Sequence, residues 1–137
     1  MIKIPLKIDS DTKQLAIEHF EEIMKALDLE RMEFIQEELP RVCRRFKRHQ
    51  FEWTYALGVY AEALVRSVEF VKNGSFTLEG KVAAGALYYL CDQDDVIPDH
   101  DPSMGYVDDA SVMNEALKRL RRINKSLIEE IEALVDE

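Results

Sequence analysis

The stretch 89–109, YLCDQDDVIPDHDPSMGYVDD, crowds seven aspartates beside two prolines and one glycine. Mg²⁺ and Ca²⁺ are bound by oxygen donors. Asp95, Asp99, Asp108 and Asp109 are the carboxylates that a loop between two antiparallel helices would gather. His100 would add a nitrogen and turn the preference toward a transition metal. The spacing is not that of an EF-hand: counting from Asp92, position 3 is Asp94, but positions 5 and 6 are Val96 and Ile97 instead of an oxygen donor and Gly.

A second reading gives the same letters a part in shaping the chain. Asp108 or Asp109 would cap a helix, the other acid favoured by the helix dipole. Asp95 and Asp99 would close Asx turns next to Pro98 and Pro102. Ile97 and Tyr106 would pin the loop to the core, Gly105 would take a positive φ, and Asp92, Asp94 and Asp101 would face water. Like charges this close repel and raise one another's pKa, so either a cation or nearby arginines should neutralise them.

Arginines are at hand in RVCRRFKRH, where Arg41, Arg44, Arg45 and Arg48 fall at i, i+3, i+4 and i+7, one helical face. That face is expected to be solvated, with two functional alternatives. It would dock on the acidic loop, or it would touch phosphates together with Lys118, Arg119, Arg121, Arg122 and Lys125. A net charge of −9 argues against nucleic acid as the partner. No nucleophile elbow, phosphate loop or dinucleotide fingerprint occurs. His19, His49 and His100 form no HxxxH pair, and no Glu-x-x-His suggests a di-iron site.

These groups would be positioned by helices. Ser10 or Asp11 is expected to cap a helix to about Leu27, with Ile17, Phe20, Ile23, Met24 and Leu27 at helical spacing. A second helix starts near Asp28, and Pro40 predicts a kink or a fresh start at Arg41. The pattern then stays helical to Lys72, where KNGS stops it. Thr77 caps an apolar helix, VAAGALYYL, whose small residues 83–86 allow a neighbour to approach closely. After the loop, a last helix of nearly 30 residues carries Met113, Leu117, Leu120, Asn124, Leu127, Ile131 and Leu134 at heptad spacing, Asn124 in an a-like position. Ile123, Ile128 and Val135 widen that stripe, as in a bundle.

The segment GALYYLCDQDDVIPDHDPSMGYVDDASV resembles the signature of the YkvA-like family, small domains without an assigned reaction. The shared pattern is a small-residue apolar helix, then Asp95, Ile97, Pro98, Asp99, Pro102, Gly105, Tyr106 and the Asp108–Asp109 pair, within 81–112. Gln93 stands where the family typically has proline, and His100 and Asp101 where it is usually apolar. Many members are membrane-associated, but this polar loop does not carry that role over.

At 137 residues, with 47% hydrophobic and 33% charged residues, the chain has the profile of one folded domain. Its longest apolar run, 82–91, is half of what a bilayer span needs. Lys3, Lys7, Asp9 and Asp11 speak against a signal peptide. Cys43 and Cys91, without a CxxC, read as reduced thiols in a cytoplasm. The expectation is a single all-α bundle over 1–137, of four or five helices, with the acidic loop before a long C-terminal helix. Functionally it is a non-enzymatic interaction or structural module without a cofactor, which self-associates or binds a protein partner. The alternative is a Mg²⁺- or Ca²⁺-binding protein, a metal-dependent hydrolase among the forms this would take.

Overall fold

Asp9, not Ser10 or Asp11, starts the first helix: its carboxylate accepts the Thr12 amide at 2.9 Å and the Thr12 hydroxyl at 2.7 Å. In a computed structural model of the chain, which describes residues 1–4, 8–48, 51–92 and 106–136, that helix is α1 (Ser10–Lys25). Five more follow: α2 (Leu29–Arg48), α3 (Glu52–Ser67), α4 (Leu78–Cys91), α5 (Val107–Ile123) and α6 (Lys125–Val135). The fold is all-α apart from one small hairpin, and the helix count exceeds the expected four or five.

Three boundaries differ from the sequence expectation, each for a local reason. Helix α2 runs through Pro40 without a fresh start at Arg41. Pro40 and Gln36, whose carbonyl loses its donor, are both exposed, so water can satisfy that carbonyl. Burial of Ile35, Leu39, Val42, Cys43 and Phe46 on the opposite face holds the helix together. The break falls later, where Phe51 turns extended and its carbonyl accepts the Tyr55 amide and the Thr54 hydroxyl.

The second difference lies at 68–76. Val68 ends α3 in an extended conformation. Val71–Lys72 then pairs antiparallel with Ser75–Phe76 across Asn73–Gly74. Both turn residues have positive φ, 54° and 81°, the geometry of a two-residue hairpin turn. So the Asn-Gly pair reverses a strand and does not stop a helix.

The third is Asn124. Its backbone is extended, φ −153° and ψ 91°, and its side chain accepts the Leu127 amide as the N-cap of α6. The nearly 30-residue helix is therefore two helices, and the heptad seam is broken at the residue that looked like its polar register mark.

Helices α4, α2, α3, α6 and α5 pack each on the next in a closed ring, and α1 covers α4 and α5. As its all-round apolar sequence implies, α4 is the most enclosed, with ten of its 14 residues buried. Phe20 and Met24 of α1 press so closely on Gly85 that a Cβ there would lie 3.0 and 2.5 Å from them. Thr77 caps α4 as expected, accepting the Gly80 amide at 2.8 Å. Among the described residues no helix is long and apolar enough to cross a membrane.

Candidate functional site: the loop base and the α2–α3 groove

The acidic loop leaves α4 at Asp92 and re-enters at Tyr106. Asp95, Asp99, Ile97, Pro98, Pro102, Gly105 and His100 lie outside the described residues, as does His49. Asp108 and Asp109 are described, and neither is a cap. The N-cap of α5 is Tyr106, without a side-chain cap bond, and the two aspartates sit in the first turn, 0% exposed. The partial positive charge of a helix N-terminus favours carboxylates there. Asp108 also accepts the Tyr89 phenol at 2.8 Å, a buried contact between α4 and α5. A buried charge without such partners would cost several kcal/mol.

His19 of α1 completes this loop base. Its Nε2 lies 3.9 Å from Asp92 and its ring meets Tyr89 edge-on at 5.4 Å. Sequence spacing could not find His19, because its neighbours come from α4, about 70 residues away. Among the described residues no three His, Cys, Asp or Glu side chains gather as a metal ion would require.

The basic stripe of α2 divides. Arg41 is held by Glu38 at 2.7 Å on the surface, and Arg44 and Arg48 are exposed. Arg45 turns inward, its guanidinium 5.4 Å from the Phe46 ring and 5.5 Å from that of Tyr106. The Phe46 and Tyr106 rings meet at 86° and 5.0 Å. Tyr106 is buried, and a cation of the stripe reaches the loop's last residue. Of the C-terminal cations, Arg119 is committed to Glu115 at 2.8 Å and Glu21 at 3.6 Å, over Phe20. Lys118, Arg121, Arg122 and Lys125 are exposed.

A second feature was not legible beforehand. Helices α2 and α3 meet at Gly58, where a Cβ would lie 3.1 Å from Lys47, 3.2 Å from the Cys43 carbonyl oxygen and 3.4 Å from Phe46. Beside this contact they enclose an open groove of about 560 Å³. Met32, Ile35, Leu39 and Cys43 line its α2 wall, with Pro40 and Gln36 beside them. Val65 and Phe70 face them, and Glu62 and Arg66 stand in the α3 wall. Val65 is 47% exposed. Burial pushes the Cys43 thiol up to about 11, with Glu62 adding to the shift, so the groove contains a neutral sulfur. Glu62 is bound by Lys47 at 2.7 Å.

Compared with family models, curated proteins and solved structures, the chain matches none. The likeness of 81–112 to the YkvA-like signature therefore has no support beyond its own letters.

Proposed function

We propose that this chain is a non-enzymatic binding module whose working surface is the α2–α3 groove. One observation carries the reading: a groove of about 560 Å³ with mainly apolar walls, in the 300–1,000 Å³ range of ligand pockets. The self-association expected from the sequence is one form of it, with a second copy as occupant. The loop base then serves the fold, through Tyr89–Asp108 and Arg45–Tyr106.

The test is titration with the neutral apolar dye N-phenyl-1-naphthylamine, with Val65→Asp alongside. Val65 is partly exposed, so the change should leave the melting midpoint nearly in place. Saturable binding at one dye per chain, weakened at least about tenfold in V65D, is the expected outcome. Light scattering at tens of micromolar reports whether the wild type dimerises and V65D does not. The absence of both dye binding and a V65D-sensitive dimer would remove the reading.

The burial of Asp108 and Asp109 favours a second reading, a divalent-cation site in which Asp95 and Asp99 join them, and with it a metal-dependent hydrolase. Melting in EDTA and then with Mg²⁺, Ca²⁺, Mn²⁺ and Zn²⁺ tests it. An ion at 100 times its Kd adds about 2.7 kcal/mol, which would move the midpoint by several degrees. A shift lost in Asp95→Ala or Asp99→Ala would establish the cation site and call for a hydrolase assay, and no shift with any ion would end the reading.

A further inference from the structure

The two charges in the α3 wall of the groove are not equivalent. Glu62 is neutralised by Lys47 at 2.7 Å, and the carboxylate in turn raises the pKa of that ammonium. Arg66, one turn further along α3, is exposed and has no ion pair among the described residues. Among the described residues the groove thus presents an apolar channel and one cation outside any ion pair. Its α2 wall, from Met32 to Cys43, spans eleven helical steps, or about 16 Å. A partner helix lying along a groove of this length would seat only one row of its side chains, whereas a narrow flexible chain can enter whole.

Resting on the binding-module reading, we propose that the groove takes a single-tailed amphiphile with an anionic head. The tail lies between Leu39 and Val65, toward Met32 and Phe70, and the head pairs with Arg66. A guanidinium suits a carboxylate or a phosphate through two parallel N–H donors. A cationic head would have to displace Lys47 from Glu62.

The test compares dodecanoate, dodecyl phosphate, dodecanol and dodecyltrimethylammonium, each below its micelle concentration, by calorimetry on the wild type, Arg66→Glu and Val65→Asp. One dodecanoate or dodecyl phosphate should bind per chain, about tenfold more tightly than the cationic amphiphile. Arg66→Glu should abolish or reverse that preference with the melting midpoint unchanged, and Val65→Asp should weaken all four. Preference for one anionic head identifies the source of the ligand, a carboxylate or a phosphate ester. Binding without head-group preference, or a preference that survives Arg66→Glu, overturns the proposal and leaves the binding-module reading standing. A V65D-sensitive dimer with no amphiphile binding also overturns it, because the occupant is then a second copy. No binding of these amphiphiles, of the neutral dye or of a second copy removes both.

Discussion

Gly80 and Gly85 lie five residues apart on α4, yet they should answer the same substitution differently. A Cβ on Gly80 would fall 2.1 Å from the Phe70 carbonyl oxygen. That carbonyl is held in place, accepting the Thr77 amide at 3.0 Å. Backbone cannot yield as a side chain can, so Gly80→Ala should cost about 3 kcal/mol or more, beyond ordinary overpacking. At Gly85 the obstacles are side chains and not backbone: Met24, half-buried and with three rotatable bonds, at 2.5 Å, and the edge of the Phe20 ring at 3.0 Å. Part of the strain is recovered by alanine's better helix propensity, so Gly85→Ala should cost only about 1 kcal/mol. Urea unfolding of both variants checks the order, and equal costs would refute the account. The sequence revealed the small-residue stripe at 83–86, because close helix packing needs small side chains. It did not reveal Gly80, whose neighbour is the backbone of Phe70, in a stretch where the spacing predicts helix.

At the scale of elements, Asn124 decides whether the C-terminal 30 residues are one helix or two. Spacing alone assigned it to a heptad seam, since the apolar positions on either side keep their phase. What spacing could not weigh was the competition between the Asn side chain and the helix backbone for the Leu127 amide. The two accounts predict opposite results. A polar residue on a seam lowers stability, so Asn124→Leu would raise it. An N-cap contributes about 1 kcal/mol, so Asn124→Ala and Asn124→Leu should both lose roughly that much, and Asn124→Asp should keep most of it. Denaturant midpoints separate the two. The Asn73–Gly74 pair is the companion case: turn chemistry was visible in the letters, but helical spacing before it obscured which turn it made.

At the scale of the whole molecule, folding holds several protons that the unfolded chain would release. Burial pushes Cys43 up to about 11 and Cys91 up to about 12, against an ordinary 9.0. Burial raises Tyr60 as well, helped by its 2.6 Å bond to Glu132, and the bond to Glu62 raises Lys47. Each folded pKa lies above its unfolded one, so the stability from these groups is complete below about pH 9. It is lost as pH rises through 11 to 12, the unfolded chain binding fewer protons there. The urea midpoint should fall over that range, and less so in a Cys43→Ala, Cys91→Ala variant. At pH 8, alkylation of Cys43 should be far slower in the folded protein than in urea, through both its smaller thiolate fraction and its burial. The all-α class and the enclosed position of α4 were legible because hydrophobic periodicity carries both. The groove was not, because its width depends on how two apolar stripes diverge in space, and the periodicity of either stripe is the same whether the gap is filled or open.

Residues 1 and 2 lie against α5 and α6 of the ring. Ile2 donates its amide to Asn114 Oδ1 and accepts from Asn114 Nδ2, each at 2.9 Å. The Met1 amine lies 3.4 Å from Glu132, and Met1 and Asp136 border one surface depression. A circular permutant with a few linking residues between Asp136 and Met1, opened at the exposed Asn73–Gly74 turn, should rebuild the same ring. Its near-native circular dichroism would mean that packing, and not the order in which the helices are strung, specifies this fold.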